Sequence, residues 1–157
     1  MTYTFALPIP VLKTERLTLR EPREADFAAM LAFSKSPRAE FLGGGIERQW
    51  VWRSHLANIG HWALRGYGFY SVDTKSGDFI GRFGVIFHDE WPEPELAWHL
   101  FDGFEGQGYA AEAALAARAD YRARISPAPL ISMIDVANTR SEALALRLGA
   151  VRERTEA

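Results

Sequence analysis

Between Phe101 and Ala117 the chain sets three glycines, Gly103, Gly106 and Gly108, directly ahead of a stretch dominated by alanine. Glycine adopts left-handed backbone without penalty and lets N–H groups come close to a ligand. A helix starting there offers unpaired N–H donors and a partial positive charge, which together suit a phosphate. Ala110, Ala111, Ala113, Ala114, Ala116 and Ala117 give that helix a surface able to lie close against a sheet. A ligand-free strand-to-helix turn has the same spacing, so the loop alone leaves both readings open.

The rest of the chain supplies the strands around this loop. Leu17 to Arg20 alternates as a short strand, and Asp26, Phe27, Met30, Leu31 and Phe33 mark a first helix. Ser36-Pro37 and Gly43 to Gly45 make a connection. A second helix from Glu47 to about Leu64 carries Trp50, Val51, His55, Ile59 and Trp62 at helical spacing and ends at Gly66. A hairpin follows, with strands over Phe69 to Asp73 and Phe79 to Phe87. Glu95 to Phe101 forms a further strand, and the alanine-rich helix runs to about Arg124. Leu130 to Val136 reads as a buried strand, and Asn138 to Leu148 as a last helix stopped by Gly149.

The order β-α-α-β-β-β-α-β-α, hairpins first and a strand-helix-strand crossover later, predicts one α+β domain over 1–157. Its sheet is expected to be mixed, mostly antiparallel, twisted and flanked by helices. Only eight residues follow Gly149, so the sheet is expected to lack its last strands, through truncation or because a partner chain supplies them. An unpaired edge of that kind would favour a homodimer.

Composition narrows the partners. A formal net charge of −2 argues against nucleic acid or an anionic membrane. The absence of cysteine removes disulfides, a thiol nucleophile and sulfur-ligated zinc. The four histidines lack metal-ligand spacing and no carboxylate cluster accompanies them, so no metal is expected. The start lacks a secretory pattern and no apolar run is long enough to span a bilayer, which makes a cytoplasmic location the expectation.

Two cofactor classes compete for the loop. Gly106-x-Gly108-x-x-Ala111 fits a dinucleotide fingerprint, with Asp135 as the ribose-binding acid, but that fingerprint opens a doubly wound fold and only 22 residues follow Asp135. No Lys-Ser or Lys-Thr follows a glycine run, so a nucleotide P-loop is absent.

Four segments in order carry a resemblance: Thr14 to Arg20 (TERLTLR), Glu95 to Trp98 (ELAW), Phe104 to Ala113 (FEGQGYAAEA), and Asn138 to Ser141 (NTRS) with Leu148-Gly149. From about Thr14 to Arg152 the chain resembles the GNAT superfamily of acyl-CoA-dependent N-acetyltransferases, and within it the branch that acetylates N-termini of ribosomal proteins. The resemblance implies acetyl-CoA as cosubstrate and a primary amine as acceptor. It implies that Gly106, Gln107, Gly108, Tyr109, Ala110 and Ala111 cradle the pyrophosphate through their backbone. Leu100 and Phe101 would pair with the pantetheine arm and polarise the thioester carbonyl. Asn138 would bind the pantetheine from the other side.

Acyl transfer to an amine needs the neutral nucleophile, whereas free amines have pKa values of about 8 to 10. A nearby carboxylate can take the proton. Glu95 holds the family's acidic position, and strand alternation places Glu95, Ala97 and His99 on one face, so His99 is a second base or a proton relay. The position where many relatives carry a thiolate-protonating tyrosine is Ala145 here, which leaves Ser141 as the resembling acid; a serine after Asn138 also suits a plain capping role. Glu105 stands where relatives carry Arg or Gln, and its side chain is expected to face solvent. Trp50, Trp52, His55, Trp62 and Trp91 are mostly core by their spacing. Asp89, Glu90 and Glu93 form an acidic rim suited to a cationic acceptor, or simply a solvated loop. The competing functional class is a non-catalytic CoA-binding relative.

Overall fold

The computed structural model describes residues 6–42 and 47–155; the Gly43 to Gly45 connection lies outside them. Five antiparallel strands form one open sheet in the order β1-β2-β3-β4-β5. They are β1 (Leu12–Lys13), β2 (Leu17–Arg20), β3 (Phe69–Thr74), β4 (Phe79–Ile86) and β5 (Glu95–Leu100). Four α-helices flank the sheet: α1 (Phe27–Ser34), α2 (Arg48–Arg65), α3 (Tyr109–Arg124) and α4 (Thr139–Arg147). This is the expected α+β class. The two-residue β1, pairing Leu12 with Leu19, is too short to show a period and was not anticipated.

The alanine face of α3 explains the sheet's largest core. Ala113, Ala114 and Ala117 are buried and let the helix backbone settle against Leu17, Leu19, Phe83 and Leu96. On the opposite side Met30, Phe33, Val51 and Phe101 make a second, smaller cluster beneath α1 and α2. The α2 helix is fastened by polar pins as well as by apolar contact. Asn58 brackets the Phe69 backbone, accepting from its N–H at 2.8 Å and donating to its C=O at 3.1 Å, and the Trp62 indole donates to the same carbonyl at 2.9 Å. His61 takes the Phe87 N–H on Nε2 at 2.9 Å, so its Nδ1 donates to the Tyr67 carbonyl at 2.6 Å. A side chain at Gly84 would put a Cβ 2.0 Å from the Gly68 carbonyl oxygen, so β3 and β4 can approach there only as glycine.

The Leu130 to Val136 segment corrects one expectation. It forms no strand; its single ladder-type contact is a parallel bridge between Glu95 and Ile131. Met133 and Val136 are 52% and 76% exposed, so the apolar run is not buried. Side chains replace the ladder: Ser132 Oγ donates to the Leu96 carbonyl at 2.7 Å, and the Met133 N–H donates to Glu95 Oε1 at 3.2 Å. Among the described residues no strand follows α4, and no helix is long and apolar enough to cross a membrane.

One buried ionic cluster ties β2 to the hairpin. Arg20 bridges Asp26 at 2.8 Å and Asp73 at 2.7 Å, and Asp26 also accepts from Ser71 Oγ and the Arg23 N–H. Burial works against the Asp26 carboxylate, yet those donors hold it below the usual range. Removing Asp26 leaves Arg20 with Asp73 as its one carboxylate and strands the Ser71 and Arg23 donors, so Asp26→Ala should lose about 3 kcal/mol in urea unfolding, with Asp26→Asn losing less.

Candidate active site

The sheet opens where β5 runs out of partners. The Phe101 N–H donates to the Ile80 carbonyl at 2.8 Å, which sets the alternation: backbone groups of Ala97 and His99 point to β4, and those of Leu96, Trp98 and Leu100 point away from it. Leu96 uses its N–H on the Ile131 carbonyl at 2.9 Å. Beyond it the 131–136 segment diverges, and among the described residues no strand meets the backbone of Trp98 or the N–H of Leu100. The gap leads into a cleft of about 900 Å³ between β5, the start of α3, α4 and the α1–α2 region.

The glycine loop forms one wall. Gly106 and Gly108 are both left-handed, at φ 77° and 80°. They turn the chain so that α3 begins at Tyr109 with the N–H groups of its first turn directed at the cleft. The loop is held from behind by Glu112, which accepts from Thr14 Oγ1 at 2.6 Å, from the Arg16 N–H at 3.0 Å and from Arg16 Nε at 2.8 Å. Arg16 Nη1 in turn donates to the Gln107 carbonyl at 2.7 Å. A side chain at Gly108 would meet that guanidinium at 3.2 Å. Donors without intrahelical partners, a helix N-terminus and two glycines in left-handed conformation fit a pyrophosphate.

Most of the anticipated residues meet here. Glu95, His99, Leu100, Phe101, Gly106, Gly108, Tyr109, Ala110, Ala111, Asn138 and Ser141 all line the cleft. Gln107 does not; its carbonyl faces Arg16. Phe101 contributes its ring while its N–H is committed to Ile80. The Leu100 carbonyl accepts from Arg38 Nε at 2.8 Å. Asn138 accepts from the Ser141 N–H at 3.3 Å and so caps α4. Ser141 Oγ receives the Trp98 indole N–H at 3.2 Å, which leaves its own hydrogen free to be donated. Asp135 closes a turn onto the Ala137 N–H at 2.8 Å.

The two candidate bases differ sharply. Glu95 is buried, and that burial pushes its carboxyl up to about 7 despite the Met133 N–H. His99 lies between Phe33 and Phe69, with ring centroids 5.6 and 5.2 Å away. Its Nδ1 accepts from Arg82 Nε at 3.0 Å; since an arginine can only donate, the ring hydrogen sits on Nε2. Burial first, and then the charge of Arg82, hold this imidazole well below its ordinary range.

Three features were not legible beforehand. Arg82 reaches the cleft because β4 pairs it with His99. Arg38, from the single turn Pro37–Ala39, places Nη1 4.0 Å from Glu105, and that buried nitrogen makes no hydrogen bond; burial and the like charge of Arg140 lower its pKa. Trp50, expected with the core, is 53% exposed and lines the cleft with Trp91. Glu105 faces solvent, as anticipated, while accepting from the Gly103 N–H at 2.8 Å.

The fold has counterparts among known proteins. Residues 16–151 match the family model described as acetyltransferase (GNAT) domain, and the chain belongs to that family. It is similar to an acetyltransferase from Agrobacterium tumefaciens str. C58, with 38% identity over 95% of this chain and 88% of that one, at a TM-score of 0.83. A GNAT-family acetyltransferase from Bordetella pertussis shows 30% identity over 88% and 87% of the two chains, at a TM-score of 0.75. At 21% identity, 89% and 81% coverage and a TM-score of 0.66, the fold is shared with the ribosomal L7/L12 alpha-N-protein acetyltransferase RimL, solved in complex with coenzyme A.

Glu95 makes the site's stability pH-dependent. Its folded pKa lies above the ordinary value of 4.5, so the contribution of the neutral carboxyl is full below about 4.5 and is lost as pH rises through about 7. Urea unfolding should therefore show Glu95→Gln more stable than the native chain by about 2–3 kcal/mol at pH 8, with the gap closing at pH 4.5.

Proposed function

We propose that this chain transfers an acetyl group from acetyl-CoA to a primary amine in a ternary complex, with Glu95 as the general base. The observation that carries this is a buried carboxyl raised to about 7 beside the strand edge where backbone donors stand unpaired. Such a group is a poised acceptor of a proton near neutral pH. Family membership supports acetyl-CoA as the donor, as does the coenzyme A bound by the RimL relative.

In this reading the first-turn N–H groups of α3, with Gly106 and Gly108, bind the pyrophosphate. Asn138 and the outward backbone of β5 hold the pantetheine arm. The Leu100 or Trp98 N–H polarises the thioester carbonyl. The amine nitrogen attacks the carbonyl carbon, a C–N bond forms and the C–S bond breaks. Glu95 takes the amine proton, directly or through a water, and Ser141 passes its proton to the departing thiolate while regaining one from water. His99 keeps its Nε2 hydrogen and serves as a donor. The acceptor is a protein or peptide N-terminus or a small amine, the location is the cytoplasm, and a homodimer built on the open sheet edge is compatible with the site.

A non-catalytic CoA-binding role is the second reading, favoured by Ala145, which is buried and offers no hydroxyl where many relatives hold a tyrosine. Thiol release from acetyl-CoA across N-terminal peptides and small amines separates the two. Turnover is expected, with kcat/KM rising through a limb near pH 7 whatever the pKa of the acceptor. Glu95→Gln should lose that limb and about 10²–10⁴-fold in rate while still binding coenzyme A. Tight coenzyme A binding with no turnover on any acceptor would instead establish the non-catalytic role. Gly108→Ala strains a left-handed position by about 1–2 kcal/mol, so calorimetry should show coenzyme A affinity falling by about tenfold.

A further inference from the structure

The face of β4 and β5 turned to the acceptor side of the cleft is electrically polarised. Register pairs Ile86 with Glu95, Gly84 with Ala97 and Arg82 with His99 on this one face. The two outer rungs lie four residues, or about 13 Å, apart. Between them stand only a glycine and an alanine, which leave the floor low. At one end sits Glu95, and the 88–94 loop that leads into it carries Asp89 and Glu90. At the other end sits the Arg82 guanidinium.

Arg82 has no counter-ion among the described residues. Its Nε donates to the neutral His99 ring at 3.0 Å, its Nη2 makes only a 3.5 Å contact with Ser54 Oγ, and its charge lies 4.4 Å over the Phe69 ring. The Nη1 donors have no hydrogen-bond partner among the described residues and are not sealed in. Burial alone lowers its pKa to about 10. The same fold shows what a structural buried arginine looks like: Arg20 is enclosed by two carboxylates within 2.8 Å. A desolvated guanidinium with no carboxylate is costly to keep, and its remaining donors form a fork that matches a carboxylate.

We propose that Arg82 is the binding site for a carboxylate carried by the acceptor, so that the preferred acceptor presents its amine to Glu95 and an anionic group to Arg82. This rests on the reading of the cleft as an amine acetylation site. The shared chemistry has two sources, a small amino acid or a peptide N-terminus followed by an acidic side chain. In either case the acidic end of the floor receives the ammonium group before it loses its proton, and the basic end receives the anion.

The test uses matched acceptors in two arms. One arm compares β-alanine, 4-aminobutyrate and 6-aminohexanoate with their primary amides. The other compares N-terminal tetrapeptides carrying Glu with those carrying Gln at the second or third position. At least one carboxylate acceptor should show a KM about 10- to 100-fold below its amide. Arg82→Met should bring the ratio of carboxylate KM to amide KM close to one, whatever it does to both rates through His99, and Arg82→Lys should restore part of the ratio. The arm that shows the preference identifies the source. Binding of the same probes to the coenzyme A complex, followed by NMR, reads the site independently of turnover. Arg82-dependent binding without turnover keeps the anion site and sinks the acetylation reading. Turnover with equal KM for carboxylate and amide in both arms, or a carboxylate-to-amide KM ratio that Arg82→Met leaves unchanged, overturns the anion site. Urea unfolding guards the variant, since removing a half-buried charge that has no counter-ion should leave stability unchanged or raised.

Discussion

A strand that loses its neighbour partway along its length organises this molecule. Up to Leu96, β5 is bonded on both sides, by β4 and by the 131–133 segment. From Trp98 on, β4 alone remains. Backbone donors and acceptors left at such an edge must find a partner, because burying them bare is costly. The fold answers with a cleft in place of a further strand, and each surrounding element is placed with respect to that opening. The divergence is enforced by side chains, since Glu95 and Ser132 take the hydrogen bonds that a continuing ladder would have used. Glu95 therefore has two attachments, one to the segment that opens the cleft and one to the cleft itself.

The phosphate-binding wall depends on a less obvious device. A loop with glycines at positive φ is permissive by nature and needs external restraint to become a fixed cradle. Glu112 and Arg16 provide it from the convex side, tying the start of α3 to the residues ahead of β2. The grip on the ligand is main-chain, and the stiffness is side-chain. That division explains why an acidic residue at Glu105 is tolerated: it bends back to its own loop and lies near Arg38.

Sequence reasoning reached the parts of this design that are local. The alanine face of α3, the hairpin, the helix stopped by Gly149 and the shared face of Glu95 and His99 all follow from spacing and periodicity. Leu130 to Val136 misled because an apolar, β-branched run signals a strand only when a partner exists at the right distance, and partner geometry is not in the segment itself. His99 was legible as a position but not as a chemical state, because its tautomer is dictated by Arg82, 17 positions earlier in the chain. Arg82 was invisible for a deeper reason: what distinguishes it is a counter-ion that is missing, and a composition full of carboxylates cannot reveal which cation lacks one.

The contrast between Arg20 and Arg82 also separates stability from function in this fold. Arg20 is buried and Arg82 half-buried, and each gives up water at a cost before compensation. Arg20 recovers it within the protein through Asp26 and Asp73, and so fastens β2 to the hairpin. Arg82 recovers only the weaker attraction of an aromatic face and a neutral ring. Glu95 is its opposite in sign and its equal in circumstance, a buried carboxyl eased by a single backbone N–H. Two uncompensated groups of opposite charge, on one face and too far apart to neutralise each other, are a poor arrangement for a core. They become a good one when a third party carrying both charges lies between them.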